Sequence, residues 1–280
     1  TLTGTGIASG GALRNIASTS NSYAGAITMS TGGARINSDS GGALTLTGGI
    51  TTSLFSDVTF GGTGSTTVST TAISGAGGVT RDGGTGIVTL SAANTYTGLT
   101  TVNSGTLSLQ GTTALYNNTQ ASWIPTYITV GGSGVLALGV GLNASGYFDS
   151  TAIDTFSDST HMGLSTTTTG FQTGGTLGFD TTNASSSTFT YASNITNFGT
   201  STNNGVAKVG AGTLVLSGSN SYTGLTQISS GTLRLGSANA LAGGGSVAFG
   251  GGTLQFSSSN TSDLAARIVN SGSAVALDTN

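Results

Sequence analysis

The chain has 280 residues and a formal net charge of −3, and only 5% of its residues are charged, against about 25% in an ordinary soluble domain. Six basic residues spread over that length cannot neutralise a run of phosphates, which excludes nucleic acid as a main partner. Cysteine is absent, so disulfides and thiolate metal sites are excluded, and all nine acidic residues are Asp, which with a single Lys weighs against helices. Glycine is abundant at 49 residues, but one Pro and 35% hydrophobic residues fit neither collagen nor a Pro-rich linker. No apolar run approaches the roughly 18 residues of a membrane helix. Thr1 begins in mid-pattern without a basic leader, so the chain reads as an internal piece of a longer protein.

In chain order, the first stretch, 1–111, holds two copies of one pattern. Asn21 to Ile36 (NSYAGAITMSTGGARI) aligns without gaps on Asn220 to Leu235 as a weak copy. The strong copy, Gly84 to Gln110 (GTGIVTLSAANTYTGLTTVNSGTLSLQ), shares 15 of 27 positions with Gly210 to Gly236 (GAGTLVLSGSNSYTGLTQISSGTLRLG). Asp82-Gly83-Gly84-Thr85-Gly86 has the look of a phosphate or Ca²⁺ loop. It lacks the nonapeptide period of Ca²⁺-binding β-rolls and is read as a turn. The second stretch, 112–204, departs from the repeat and contains Trp123, Pro125, His161 and Met162; irregular coils or a loop insertion are expected there.

The third stretch, 205–280, carries the clearest strands: Thr213 to Leu216, Leu225 to Ile228, Gly231 to Leu235, Ser246 to Phe249 and Thr253 to Phe256. Leu214, Leu233 and Leu254 are 19 and 21 residues apart, and Val88 and Leu107 are 19 apart. Such spacing is what results when each turn of a solenoid lays a strand over its counterpart one turn earlier, about 4.8 Å away. The fold class expected is therefore all-β, a parallel β-helix of about 20 residues per coil, running as one continuous solenoid with an irregular segment around 112–204. Leu214, Leu216, Leu233 and Leu235 should face inward, and Val215 and Arg234 outward. Asp263 to Val269 should form at most one helical turn, followed by a turn at Asn270-Ser271-Gly272-Ser273 and a strand at Ala274 to Leu277.

The motifs Gly-Ala-Gly-Thr-Leu-Val-Leu-Ser-Gly (210–218), Asn-Ser-Tyr-Thr-Gly-Leu-Thr (220–226) and Ser-Gly-Thr-Leu-Arg-Leu-Gly (230–236) resemble the autotransporter-associated β-strand repeat of bacterial surface proteins. Asn94-Thr95-Tyr96-Thr97-Gly98 with Ser104-Gly105-Thr106-Leu107 carries the resemblance a second time, and Arg81 and Lys208 stand where that family often has a basic residue. The resemblance covers about a third of the chain. It implies a right-handed β-helical passenger exported across the outer membrane and displayed outside the cell. It brings no catalytic residue and no cofactor.

Two function classes follow. The first is a structural or adhesive surface fibre, in which stacked coils make a stiff spacer; its partners would be neighbouring repeats of the same chain, further copies meeting end to end or laterally, and a surface carbohydrate or other cell-surface ligand. The second is a polysaccharide-binding or polysaccharide-cleaving module using Asp149, Asp154, Asp158 and His161, which lie within thirteen positions. Paired carboxylates perform acid–base glycoside hydrolysis, and the same oxygens suit Ca²⁺. The alternative for these residues is a solvated polar loop. No basic residue lies between Arg81 and Lys208, which counts against lyase chemistry on uronates. Tyr23, Tyr96 and Tyr222 occupy the same place in the three copies. They are read as turn aromatics closing a coil corner, with a sugar-stacking array as the competing reading.

Overall fold

A computed structural model describes residues 1–269 and 273–279. The chain divides into two compact units, 1–136 and 137–280, and the boundary falls inside the strand Ile128–Gly139.

In the first unit each turn of chain contributes three short strands, and each strand pairs in parallel with its counterpart one turn on. One turn consists of Ile50–Thr52, Val58–Gly61 and Ser65–Val68; the next, of Ile73–Gly75, Val79–Arg81 and Ile87–Leu90. The registers Ile50↔Ile73, Val58↔Val79 and Thr66↔Val88 give offsets of 23, 21 and 22 residues, and Val88↔Leu107 gives 19. Alternation puts every second side chain inside, so like stacks on like. Ile27, Ile50 and Ile73 form one column, and Leu46, Val68, Leu90 and Leu109 another, all with at most 4% of their surface exposed. Each such burial contributes about 1.5–3 kcal/mol.

The second unit repeats the scheme. Thr188–Tyr191, Thr213–Leu216, Thr232–Leu235, Thr253–Phe256 and Ala276–Asp278 form one parallel ladder; Thr176–Asp180, Gly205–Val209, Thr226–Ile228 and Val247–Phe249 form another. Leu214, Leu216, Leu233 and Leu235 are fully buried, Val215 is half-buried and Arg234 is exposed, as alternation required. The fold is an all-β parallel solenoid, and the strands expected at 213–216 and 253–256 have those bounds. The residues 263–269 hold a single 3-10 turn, Ala265–Arg267. The turn expected at 270–273 falls on residues 270–272, outside the described residues; the strand after it runs Ala276–Asp278.

Coil length stays near 20 in the repeat copies and widens in the segment expected to be irregular: the register Thr176↔Gly205 spans 29 residues and Thr188↔Thr213 spans 25, because loops at the corners absorb extra chain without disturbing the ladders. One expectation needs correcting. The segment Asn21 to Ile36 is not a structural copy of the repeat. Tyr23 pairs with Leu46, in the column that continues to Val68 and Leu90, whereas Tyr96 pairs with Gly75 on a different face. Gap-free identity at Asn, Ser and Tyr was therefore out of phase with the hydrogen-bond register.

The stretch 112–204 contains what repeat arithmetic could not supply. An α-helix, Ser150–Ser157, interrupts the β-pattern. Asp149 caps it, its Oδ1 accepting the Ala152 N–H at 2.8 Å, and Ala152, Ile153 and Phe156 form its buried face. Phe156 meets Phe171 edge-on at 6.2 Å, and Phe171 stacks on Phe198 at 4.3 Å, so the helix is docked by an aromatic cluster.

Candidate functional site

Two sets of residues carry the chemistry the sequence singled out: the repeat signature and the acidic segment. In the signature, Asn94 and Asn220 are fully buried and make the same two bonds. Each accepts a backbone N–H from the preceding turn, Ile73 for Asn94 and Ile195 for Asn220, both at 2.8 Å. Each donates from Nδ2 to a carbonyl of the following turn, Ala114 at 2.9 Å and Ala240 at 2.8 Å. One side chain thus joins three successive turns at a corner where the strand ladder lapses. A buried amide suits this role because it carries both donor and acceptor without charge.

Tyr96 and Tyr222 close the same corner from inside. Both rings are buried, and each hydroxyl meets the Thr four residues on, Thr100 or Thr226, at 2.7 Å. Burial raises both phenols above their ordinary range, Tyr222 to about 12. The corner reading holds for these two. A sugar-stacking array does not, because neither ring reaches the surface and Tyr23, 45% exposed, sits on another face.

Arg81 and Lys208 have no exposed surface. The Arg81 guanidinium donates to six backbone carbonyls, among them Gly62 and Gly84 at 3.0 Å and Gly86 at 2.8 Å. Lys208 donates from Nζ to the carbonyls of Val209 (2.9 Å), Gly210 (2.6 Å) and Ser230 (3.1 Å). These glycine-rich turns do bind a cation, and that cation is the side chain that precedes them. Gly105 and Gly231 lie over these heads with φ of +69° and +63°; a Cβ at either would stand 2.5 Å from Arg81 Nη2 or 2.7 Å from Lys208 Nζ. Burial lowers both groups: Arg81 to about 10, with Arg35 pushing it the same way and Asp82 opposing, and Lys208 to about 8, with Asp180 opposing.

In the acidic segment, the three carboxylates share no hydrogen-bond partner. Asp149 is the helix cap. Asp154 accepts from Tyr191 Oη at 2.7 Å and Ser193 Oγ at 3.0 Å, fastening the helix to the strand Thr188–Tyr191. Asp158 ends the helix, its Oδ1 accepting from the Thr160 N–H, the His161 N–H and His161 Nδ1 at 2.7–2.9 Å. Burial pushes the Asp158 carboxyl up, but the bonds from Thr160 and His161 together outweigh it and hold the group at about 2. A carboxyl that stays ionised down to such a pH is a poor general acid. A cavity of about 310 Å³ opens beside the helix, lined among others by Ser157, Tyr191, Asn194, Asn197 and Phe198; none of Asp149, Asp154, Asp158 or His161 lines it. Among the described residues no three acidic or His side chains come together as metal ligands.

Sequence reasoning placed the signature residues but assigned them no bonds. Their recurrence 126 positions apart was the available signal. The helix was missed, although Asp149 followed by Ala152, Ile153 and Phe156 is an N-cap before an apolar face.

Comparison with known proteins bears on the signature. The family model of the passenger-associated-transport-repeat matches residues 83–109, 206–235 and 229–256. No curated protein and no solved structure matches the chain. The matched segments contain Asn94, Asn220 and Lys208, whose bonds tie turn to turn, and Tyr96 and Tyr222, which close the corner within a turn, so the chain is a parallel β-solenoid that carries the passenger-associated-transport-repeat at three places.

Proposed function

We propose that this chain is the passenger segment of an autotransporter-like protein, displayed at the bacterial cell surface, and that it serves there as a stiff structural or adhesive spacer. One observation carries the reading: the repeat's signature side chains are buried and bonded to neighbouring turns, so what is repeated is the means of stacking rather than a chemical centre. The acidic segment supports the same view, since capping, docking and turn formation account for all three carboxylates.

The test compares the full-length protein with its Asp154→Ala, Asp158→Ala double variant on the surface of the producing cell. The spacer reading expects equal display, equal attachment to other cells or matrix, and no release of reducing sugar from a panel of neutral and acidic polysaccharides by either form. Cleavage by the unaltered protein that disappears in the variant would replace the spacer with an enzyme.

A further inference from the structure

We infer that the first unit carries a binding groove for an uncharged oligosaccharide, with Phe55 as its stacking platform and Thr59, Thr80, Asp57 and Asp82 as its hydroxyl-reading edge. The groove encloses about 560 Å³ on the face built by Ala34–Asn37, Val58–Gly61 and Val79–Arg81. It shares no residue with the acidic segment, and it meets the repeat's stacking bonds through Asp82, whose carbonyl accepts from Arg81 Nη1 at 3.2 Å.

Phe55 is the first observation. It is 79% exposed beside Leu54 at 64%, and its φ is +63°, a left-handed conformation that disfavours any residue with a Cβ and a bulky ring above all. The surroundings enforce this shape. The Ser56 N–H donates to the Ser53 carbonyl at 2.9 Å, the two serine hydroxyls meet at 2.8 Å, and the Gly32 N–H donates to the Phe55 carbonyl at 2.8 Å. A glycine at 55 would be easier to fold and more soluble. Strain retained together with an exposed ring points to a use for the ring.

The groove floor is the second observation. Arg35, Thr59 and Thr80 are in register on consecutive turns, so groups that form hydrogen bonds recur at the strand spacing of about 4.8 Å, close to the length of one sugar unit. Neither threonine hydroxyl is bonded to protein among the described residues. Asp57 has one oxygen on the Gly78 N–H at 2.6 Å and the other open; the Asp82 side chain is 45% exposed, with Arg35 Nη1 at 3.8 Å. A flat apolar ring beside carboxylates and hydroxyls is the combination that takes the C–H face and the O–H edge of a pyranose together. Two carboxylates face one guanidinium in the lining, and buried Arg81 acts on Asp82 and Arg35 from behind it, so the groove is close to neutral and suits an uncharged sugar better than a uronate or a sulfated glycan.

The experiment titrates the 280-residue chain with cellohexaose, chitohexaose and maltohexaose, and with hexagalacturonate as the charged control, by calorimetry and saturation-transfer NMR. The expected result is binding of at least one neutral hexasaccharide, weaker or absent binding of the uronate, a loss of at least tenfold in Phe55→Gly, and a loss of at least threefold in the Thr59→Val, Thr80→Val double variant. Because glycine relieves the strain, the Phe55→Gly urea midpoint should stay level or rise, so its loss of binding cannot come from unfolding. The inference is overturned if no neutral sugar binds, if Phe55→Gly binds like the unaltered chain, or if binding depends on Phe55 while ignoring both threonines, which would mark an apolar docking tip.

Discussion

Asn220 and Asn94 show how much of a solenoid can depend on one amide. Each satisfies a donor from the turn before and an acceptor in the turn after, at a corner with no strand to pair them. Truncation leaves a buried N–H and a buried carbonyl without partners, at about 1–3 kcal/mol each. Asn220→Ala and Asn94→Ala should therefore each destabilise by about 2–6 kcal/mol, read as lower urea midpoints; substitution of exposed Asn21, which the sequence aligned with Asn220, should shift the midpoint little. Lys208 supplies a pH signature. Its folded pKa, about 8, lies below the ordinary 10.5. Between those values the unfolded chain binds the proton more tightly than the native one, so this group's contribution to stability rises as pH climbs from about 8 to about 10.5. Below pH 8 both states are protonated and the contribution is flat. The unaltered protein should gain stability relative to Lys208→Met over that window in parallel denaturation series, and a constant difference between the two would refute the assignment.

Among the elements, the strands were legible and the corners were not. Alternation of Leu with Val or Arg in Thr213–Leu216 and Thr232–Leu235 fixes which side chains enter the core, and the 19- and 21-residue spacing fixes which strand lies on which. Corners obey no such arithmetic. The chain between the strands Ile128–Gly139 and Thr176–Asp180 includes a helix whose eight residues would be marginal alone. It exists because Phe156 has Phe171 to meet and Asp154 has Tyr191 and Ser193 to hold. From sequence, Asp149, Asp154 and Asp158 form a tempting acidic cluster; in the structure they mark the start, the docked middle and the end of one helix. Phe55 was passed over for a related reason. Neither its backbone sign nor its exposure is written in a local pattern, and both come from contacts with Ser53, Ser56 and Gly32.

At the scale of the molecule, each unit has its own complete set of signature bonds: Arg81, Asn94 and Tyr96 in the first, and Lys208, Asn220 and Tyr222 in the second. Burial of the basic pair alters what a protease finds. Of the six basic residues, Arg14 and Arg234 are exposed and Arg35 and Arg267 half-buried, whereas Arg81 and Lys208 are inaccessible. Timed trypsin digestion with mass spectrometry should yield no peptide beginning at Asp82 or Val209 until the protein is unfolded by urea. Early appearance of either end would mean that the turn cages around Arg81 and Lys208 are open in solution.

The sequence by itself determined the architecture, because a near-constant spacing of apolar triplets and glycine turns leaves few ways to satisfy both core and backbone except stacked parallel coils. It also located the signature residues, because repetition makes them visible. Only the tertiary structure decided what they and the acidic residues do. Whether an Asn bridges turns, a Lys fills a ring of carbonyls or an Asp caps a helix depends on donors and acceptors 20 or more positions away, or on a helix that forms only once its apolar face is covered. Hydrogen-bond register, which a one-residue slip in alignment obscures, is a property of the folded stack.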